Sequence, residues 1–203
     1  MKNFFYIEFI GMPASGKSFY KNKILKFFGK NETISNDFYK IPKILKILFF
    51  IIFSLKYMKF TLVTLNFLLT TKLNRREIKR HLYYFKNEAA LRIYHEIKNK
   101  IVINSEGFRH RSIFFIYENL KKNKNFSYKN YLRSQPKTDL LIFVKSDKKK
   151  NILRSKNRKN GYKYSLKEIR NYNKKQQILE KIVNFTKKKG VLMVFETNQF
   201  RKN

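Results

Sequence analysis

The chain of 203 residues contains no cysteine and no tryptophan, and it has only 6 glycines, 3 prolines and 13 acidic residues. The absence of cysteine excludes disulfide bonds, thiolate metal sites and cysteine nucleophiles. The 3 histidines, at positions 81, 95 and 110, show no metal-binding spacing. The length predicts one domain, since typical domains hold roughly 100–200 residues.

Basic residues greatly outnumber acidic ones. The 47 Lys and Arg leave a formal charge of +34, a field that attracts nucleic acid, anionic lipid or phosphorylated substrates. Lys, Asn, Ile, Phe and Tyr share AT-rich codons, so genome composition is a second explanation of the charge, and we favour it. The 21 Phe and 13 Tyr supply material for a core.

No apolar run is long enough to form a transmembrane helix. The most hydrophobic stretch, Ile44 to Leu55, spans twelve residues including Lys46, whereas a membrane span needs about 20. We favour a buried helix here. The alternative is an interfacial helix whose flanking Lys43, Lys56 and Lys59 rest on anionic lipid.

A strand, a glycine loop and a helix follow one another at the start of the sequence. The apolar run Phe4–Ile10 predicts a buried strand, and Glu8 within it argues against a signal peptide. The next eight residues, "GMPASGKS", fit the pattern GxxxxGK[ST]. From Ser18 the apolar residues recur at helical spacing, and Gly29 stands where a helix C-cap is expected.

This pattern predicts a phosphate-binding loop. Its glycines let the backbone N–H groups converge on phosphate oxygens, and the following helix adds its positive end. In such a loop Lys17 reaches the β- and γ-phosphates of a nucleoside triphosphate, and the Ser18 hydroxyl binds Mg²⁺. The predicted nucleotide-binding residues are Gly11, Ala14, Ser15, Gly16, Lys17, Ser18 and Phe19.

The rest of the sequence alternates between apolar runs and helical patterns. Two or three helices are predicted over residues 38–100, and a capping box at Ser165–Glu168 opens a long helix. A shorter helix is predicted at about Ser112–Leu120. Further strands are predicted at residues 32–36, 101–107, 140–146 and 191–197. This order predicts an α/β fold with a parallel five-stranded sheet, helices on both faces and an all-helical insertion between strands 2 and 3.

With these motifs the chain resembles the P-loop nucleoside and nucleotide kinases, a group that includes thymidylate kinase and the deoxynucleoside kinases. The resemblance covers nearly the whole chain, and the glycine loop is its one specific motif. It implies a three-layer P-loop NTPase fold in a single kinase-like domain over residues 1–203. It also implies ATP with Mg²⁺ as phosphoryl donor, an acceptor region at about 38–100 and a lid at about 147–163.

The resemblance extends to four further site residues. Glu106, in "INSEGF", matches the acidic residue that closes the third strand, where a carboxylate orders Mg²⁺ or accepts the acceptor's proton. Asp37 matches a carboxylate after the second strand and is a second candidate base. Arg154 and Arg158, four residues apart, match lid arginines that close over the transferred phosphoryl group.

One feature departs from the kinase pattern. In thymidylate and deoxynucleoside kinases an arginine directly follows the acidic residue, whereas here Gly107 and Phe108 precede Arg109. Arg109 and Arg111 are candidate clamps for an acceptor anion. The "SEG" ending resembles small P-loop kinase-like proteins found among bacterial surface-polysaccharide genes. The acceptor therefore stays open between a nucleoside or nucleotide and a sugar-type molecule.

Two functions remain. The first is an ATP-dependent small-molecule kinase in the cytoplasm or on the inner face of the membrane. The alternative, supported by the charge, is a nucleic-acid- or anionic-membrane-binding protein with a regulatory or vestigial nucleotide site. The sequence contains no recognisable DNA- or RNA-reading motif, so nucleic acid is the weaker partner.

Overall fold

The computed structural model describes residues 5–28, 33–34, 41–70, 73–98, 101–122, 127–157, 163–188 and 192–196. These residues form five strands: β1 (Phe5–Ile10), β2 (Thr33–Ile34), β3 (Ile101–Asn104), β4 (Leu140–Lys145) and β5 (Leu192–Glu196). They also form nine helices: α1 (Lys17–Phe28), α2 (Lys43–Lys56), α3 (Met58–Thr70), α4 (Arg75–Ile97), α5 (Phe108–Lys122), α6 (Tyr128–Ser134), α7 (Lys148–Lys156), α8 (Leu166–Arg170) and α9 (Tyr172–Lys187).

The sheet is parallel, as predicted, and its strand order is β2-β3-β1-β4-β5. β1 occupies the centre, where Phe5 pairs with Ile101 of β3 and Ile7 pairs with Leu140 of β4. Strands buried on both faces are apolar throughout, which explains the apolar runs of β1 and β4. The chain leaves β1 for β2, returns to β3 and then crosses to β4, so the order reverses at β1. Open α/β sheets bind ligands at the carboxyl end of such a strand.

The predicted helical insertion is formed by α2, α3 and α4, which lie between β2 and β3 in the chain. An aromatic cluster holds it to the rest of the fold. Phe53 of α2 is fully buried, and its ring lies 6.4 Å from Phe60, 6.0 Å from Phe85 and 5.4 Å from Phe108. Such pairs add about 0.5–1.5 kcal/mol each beyond the buried area. The cluster therefore joins α2, α3 and α4 to α5.

The helix after β3 begins earlier than predicted. The sequence pattern placed its start near Ser112, but α5 begins at Phe108, whose ring is buried in the aromatic cluster. The strand before it is also shorter, because the Asn104 side chain accepts the N–H of Glu106 at 2.9 Å and turns the chain. The N–H of Arg111 then donates to the carbonyl of Gly107 at 3.0 Å and closes the first helical turn.

The capping box is confirmed, but the long helix predicted after it is wrong. The N–H of Glu168 donates to Ser165 Oγ at 3.3 Å, and the Glu168 carboxylate accepts the N–H of Ser165 at 3.0 Å. The box opens only the short helix α8, and the chain breaks at Asn171 before α9 begins. The break lets Tyr172 turn inward, where its hydroxyl accepts a hydrogen bond from Asn151 Nδ2 at 2.7 Å.

The apolar segment Ile44–Leu55 forms α2, and the interpretation of this helix as buried is wrong for its outer face. Only Phe49 and Phe53 are buried, whereas Ile44 is 80% exposed and Leu55 is 74% exposed. Within the described ranges no single helix is long and apolar enough to cross a membrane. The helices α2 and α3 pass that test only as a pair, and the pair is bent by 105°.

The aromatic cluster predicts a large stability loss for Phe53→Ala. Removing a fully buried ring leaves a cavity, and the free energy of unfolding should fall by about 3–5 kcal/mol. Phe27→Ala is the matched control, because that ring is 87% exposed on α1. Urea unfolding measures both variants. Equal losses in the two variants would contradict the assignment of Phe53 to the core.

Candidate active site

The loop between β1 and α1 curls as a phosphate-binding loop must. Ala14 has a φ of 61° and Gly16 has a φ of 103°, so the chain twice adopts the left-handed conformation. The N–H of Ser15 donates to the Met12 carbonyl at 3.1 Å and closes a turn within the loop. In the first turn of α1 the N–H of Phe19 donates to the Gly16 carbonyl at 3.0 Å, and the N-terminus of the helix gives the loop a positive end that suits an anion.

Gly11 lets this loop pack closely against the carboxyl end of β4. A Cβ at this position would lie 2.7 Å from Ser15 Oγ and 2.7 Å from the carbonyl oxygen of Val144 in β4. The second of these atoms belongs to the backbone and cannot move aside, so glycine is required. The loop therefore lies at the carboxyl ends of β1 and β4, where the strand order reverses.

Lys17 and Ser15 give the loop a cation and a hydroxyl. Lys17 Nζ donates to the carbonyl oxygens of Gly11 at 2.9 Å and Met12 at 3.2 Å, so the ammonium group folds back over the loop. The Ser15 hydroxyl is buried and has no hydrogen-bond partner among the described residues. Ser18 is exposed on the first turn of α1. A cation, an unused buried hydroxyl and a helix N-terminus together fit a phosphate group.

The structure brings six of the seven predicted nucleotide-binding residues together in this loop and the first turn of α1. The seventh, Phe19, lies on the outer side of α1 and is 56% exposed, with the ammonium of Lys23 5.0 Å from its ring centroid. Phe19 therefore contributes its backbone N–H to the loop and not its side chain. That N–H donates to the Gly16 carbonyl at 3.0 Å.

Glu106 lies just beyond β3, as predicted. Its side chain is 52% exposed, and Oε2 accepts a hydrogen bond from Arg111 Nη2 at 2.6 Å. The guanidinium of Arg111 also stacks on Tyr84, with its Cζ 3.9 Å from the ring centroid. An exposed carboxylate and a half-exposed cation are thus held together at the end of the strand next to β1.

A buried carboxyl group lies beneath this turn. Glu8 in β1 is fully buried, and its Oε1 accepts the backbone N–H of His110 at 2.7 Å. A Cβ on Gly107 would lie 2.7 Å from Glu8 Cδ and 2.8 Å from Tyr6 Oη, so the turn can only pass over Glu8 as glycine. Burial, reinforced by the charge of the nearby Glu88, raises the pKa of Glu8 to about 8.

Glu88 of α4 is the centre of a second buried polar group. One carboxylate oxygen accepts the hydroxyl of Tyr6, and the other accepts Asn104 Nδ2 at 2.6 Å. Asn104 Nδ2 also lies 3.1 Å from Tyr6 Oη. Burial raises the pKa of Glu88 above its usual range. These contacts tie α4 of the helical insertion to β1 and β3 of the sheet.

An aromatic cavity of about 240 Å³ opens beside this group. Six of its lining side chains are Phe or Tyr, and they come from α3, α4, α5 and α6. Polar groups are few and lie at distinct points, with Glu88 among the buried ones and Glu106 and Arg111 among the more exposed ones. The full lining is Phe60, Thr64, His81, Tyr84, Phe85, Glu88, Glu106, Phe108, Arg111, Phe115 and Tyr131.

A second cavity, of about 360 Å³, connects the aromatic cavity with the glycine loop. Met12 and Pro13 of the loop line it, and so do Glu106 and Arg111, which also line the aromatic cavity. His81 belongs to both cavities, and its ring stacks on Phe114 with centroids 4.2 Å apart. Burial and the nearby arginines lower the pKa of His81 to about 4. The connecting space is therefore bordered by the neutral imidazole of His81 and by charged groups of both signs, which are Glu106, Glu168, Arg80, Arg111 and Lys175.

The predicted lid arginines are placed only in part. Arg154 is exposed on α7, which ends at Lys156, while Arg158 lies outside the described residues. The residue that directly follows the predicted lid region reaches the glycine loop. The hydroxyl of Tyr164 donates to the Pro13 carbonyl at 2.8 Å, and the N–H of Tyr164 donates to Ser155 Oγ of α7 at 3.0 Å.

Two further candidates are Asp37 and Arg109. Asp37, the second candidate base, lies outside the described residues, so its role stays a prediction. Arg109 is only 6% exposed, and its Nη1 donates to the carbonyl of Leu132 in α6 at 2.9 Å. Its prediction as an acceptor clamp is wrong, because α5 directs residue 109 into the core while Arg111 faces the cavities.

Two buried acidic residues, Glu8 and Glu88, lie outside the sequence motifs, yet the sequence contains signals for both. Glu8 is an acidic residue within a strand that is otherwise apolar. Glu88 stands three residues after Phe85 and seven after His81, so it falls on the buried face of α4. A charged residue at a buried helical position indicates a partner, and here the partners come from β1 and β3.

The glycine loop, the helix that it opens and the reversal of strand order at β1 form a strand–loop–helix unit that is suited to binding phosphate. No protein-family model and no curated protein sequence matches the chain. Among solved structures, the chain is similar to deoxyadenosine kinase from M. mycoides with bound dCTP. The two chains are 16% identical, the similarity covers 97% of this chain and 92% of that one, and the TM-score is 0.48.

The buried Glu8 predicts a pH-dependent stability. Its pKa of about 8 exceeds the ordinary value of 4.5, so the folded chain holds an extra proton at intermediate pH and loses stability as pH rises towards 8. Between pH 6.5 and 8 the contribution of Glu8 to this loss should be roughly 1–2 kcal/mol, and the histidines, whose partial protonation in the unfolded chain near pH 6.5 acts in the opposite direction, contribute equally to the substituted and unsubstituted chains. Glu8→Gln should flatten this slope, as measured by urea unfolding at several pH values.

The control for this prediction is Glu180→Gln, which removes an exposed carboxylate from α9. It should keep the slope of the unsubstituted chain. A Glu8→Gln variant with the original slope would show that another group carries the extra proton.

Proposed function

We propose that the chain is an ATP-dependent kinase that phosphorylates a small molecule held in the aromatic cavity. The connecting cavity carries this proposal, because it is lined by the glycine loop on one side and by Glu106 and Arg111 on the other. A phosphoryl donor in the loop and an acceptor in the aromatic cavity would therefore meet in one space. Enzymes catalyse phosphoryl transfer largely by positioning the reacting groups, and a shared space would provide that positioning.

The donor side would use the loop as it stands. The backbone N–H groups of the loop and the start of α1 would receive the phosphate oxygens of ATP. Lys17, which now bonds two loop carbonyls, would turn its ammonium to the β- and γ-phosphates. Ser18 would hold Mg²⁺, which neutralises charge on the transferring group.

The acceptor side would use Glu106 and Arg111. The acceptor hydroxyl oxygen would bond to the γ-phosphorus while the bond from that phosphorus to the β,γ-bridging oxygen breaks and ADP leaves. The hydroxyl proton would pass to the carboxylate of Glu106. Arg111, 2.6 Å from that carboxylate, orients it and adds positive charge beside the reaction. Arg154, and Arg158 beyond the described residues, would complete the charge from the lid.

The cavity favours an acceptor with a planar ring. Stacking on Phe and Tyr suits a nucleobase better than a sugar, which offers no aromatic face. A nucleoside-type acceptor would fill a cavity of about 240 Å³ with its base between the rings and present its hydroxyl to Glu106. A sugar-type acceptor is the second candidate, and a panel of nucleosides, nucleotides and sugars with labelled ATP separates the two.

ATP binding predicts a thermal shift that depends on Lys17. In Mg²⁺, ATP at about 100 times its Kd should raise the melting temperature by roughly 5–10 °C. Lys17→Ala should remove this shift, whereas Lys26→Ala, a lysine on the same helix, should keep it. No shift in the unsubstituted chain would favour the alternative of a polyanion-binding protein with a vestigial site.

Glu106→Gln should separate binding from catalysis. The variant keeps the size and hydrogen-bonding capacity of the side chain but cannot take a proton, so kcat should fall roughly 10²–10⁴-fold. Its ATP-dependent thermal shift should remain. Glu118→Gln on α5 is the matched control and should retain full turnover. Unchanged turnover in Glu106→Gln would remove Glu106 from the chemistry while leaving nucleotide binding intact.

A further inference from the structure

The outer side of α2 is an apolar face without a partner among the described residues. We define it by seven side chains that are each at least 37% exposed, of which Ile44 and Leu55 are 80% and 74% exposed. Scattered exposed apolar residues are ordinary, but a contiguous set on one helix indicates a contact surface. The members of this apolar face are Ile44, Leu45, Ile47, Leu48, Ile51, Ile52 and Leu55.

The apolar face is a regular feature of the helix. At about 100° per residue, its seven members span roughly 160° of the helical circumference. Phe49 and Phe53, the two residues that the core buries, point to the opposite side. α2 is therefore apolar on both sides, and the fold uses only one of them. Met58, 61% exposed, continues the apolar surface at the start of α3.

The charged residues of α2 and α3 are all basic. Lys43 and Lys56 flank it at the two ends of α2, and Lys59 follows on α3. The sequence from Ile41 to Arg76 contains no acidic residue. Lys56 is paired with Glu96 of α4, but nothing acidic lies on α2 or α3 themselves. An apolar stripe between lysines is complementary to apolar lipid chains below anionic headgroups.

The same charges argue against a second copy of the chain. In a symmetric dimer the same patch of the two copies meets across a two-fold axis, so the lysines of one copy would face the lysines of the other. With no acidic residue on either helix, this contact would bring like charges together. The surface that complements the apolar face and its flanking lysines is apolar in its interior and negatively charged at its boundary.

We propose that the apolar face of α2 docks on an anionic membrane, with the helix lying in the plane of the interface. The helix has 14 residues, which at 1.5 Å per residue is about 21 Å, too short to span a bilayer but suited to interfacial binding. The seven apolar side chains enter the boundary of the acyl chains, and the flanking lysines contact the headgroups. This docking needs no nucleotide and is independent of the proposed phosphoryl transfer.

Vesicle flotation without nucleotide tests the docking. The full chain should float with vesicles of phosphatidylcholine and phosphatidylserine, and should stay at the bottom with phosphatidylcholine alone. Leu48→Gln, Ile51→Gln and Leu55→Gln together should lower the floated fraction roughly tenfold or more. All three side chains are exposed, so the fold should survive, which circular dichroism and the melting temperature verify.

The matched control replaces three exposed apolar residues elsewhere, Ile97→Gln, Leu153→Gln and Leu166→Gln, and should float like the unsubstituted chain. Failure of the unsubstituted chain to float would overturn the proposal. An equal loss in the control would overturn it too, since any exposed apolar residue would then suffice. Sedimentation velocity adds a third outcome: a dimer abolished by the α2 substitutions would make the face a self-association surface.

A charge-reversed variant separates the two components of docking. Lys43→Glu with Lys59→Glu should weaken flotation with anionic vesicles and leave the melting temperature unchanged, because both lysines are exposed. Flotation that is unaffected by these changes and by added salt would contradict recognition of anionic lipid.

Discussion

The buried carboxyl of Glu8 is the constraint on which the candidate site depends. It lies in the central strand β1, receives the N–H of His110 from α5 and is covered by Gly107. An ionised carboxylate in such a place is costly unless it is fully hydrogen-bonded, and its second oxygen has no partner among the described residues. The fold meets that cost by keeping a proton on the group, which is the physical meaning of its pKa of about 8.

That constraint shapes the turn that carries Glu106. Position 107 must be glycine because any Cβ would collide with Glu8 and Tyr6, and the chain then enters α5 directly. Arg111, on the first turns of that helix, returns to the carboxylate of Glu106. In the kinases that the sequence resembles, an arginine directly follows the acidic residue. Here a cation reaches the same carboxylate from five positions along the chain, so the departure in sequence keeps an acid and a cation together.

Local patterns predicted the parallel α/β order, the glycine loop, the position of Glu106 after β3 and the capping box at Ser165, because each depends on neighbouring residues. The features that the sequence did not predict involve contacts between residues far apart in the chain or too little local periodicity. At the break before α9, Tyr172 is hydrogen-bonded to Asn151, which reaches it from another helix. The short helix α6, capped by Ser127, was not predicted because seven residues carry too little periodicity. The apolar composition of α2 could not reveal which of its faces the core would cover.

The two faces of α2 connect the membrane proposal with the proposed acceptor site. On its inner side, Phe53 contacts Phe60, Phe85 and Phe108, and these three rings line the aromatic cavity. On its outer side, the apolar face lies one helix away from the same wall. The same helix therefore packs behind the wall of the cavity with one face and leaves its other face for the proposed contact with lipid. The proposed acceptor site and the proposed lipid contact are thus neighbours in the fold, on opposite sides of one helix, although neither requires the other.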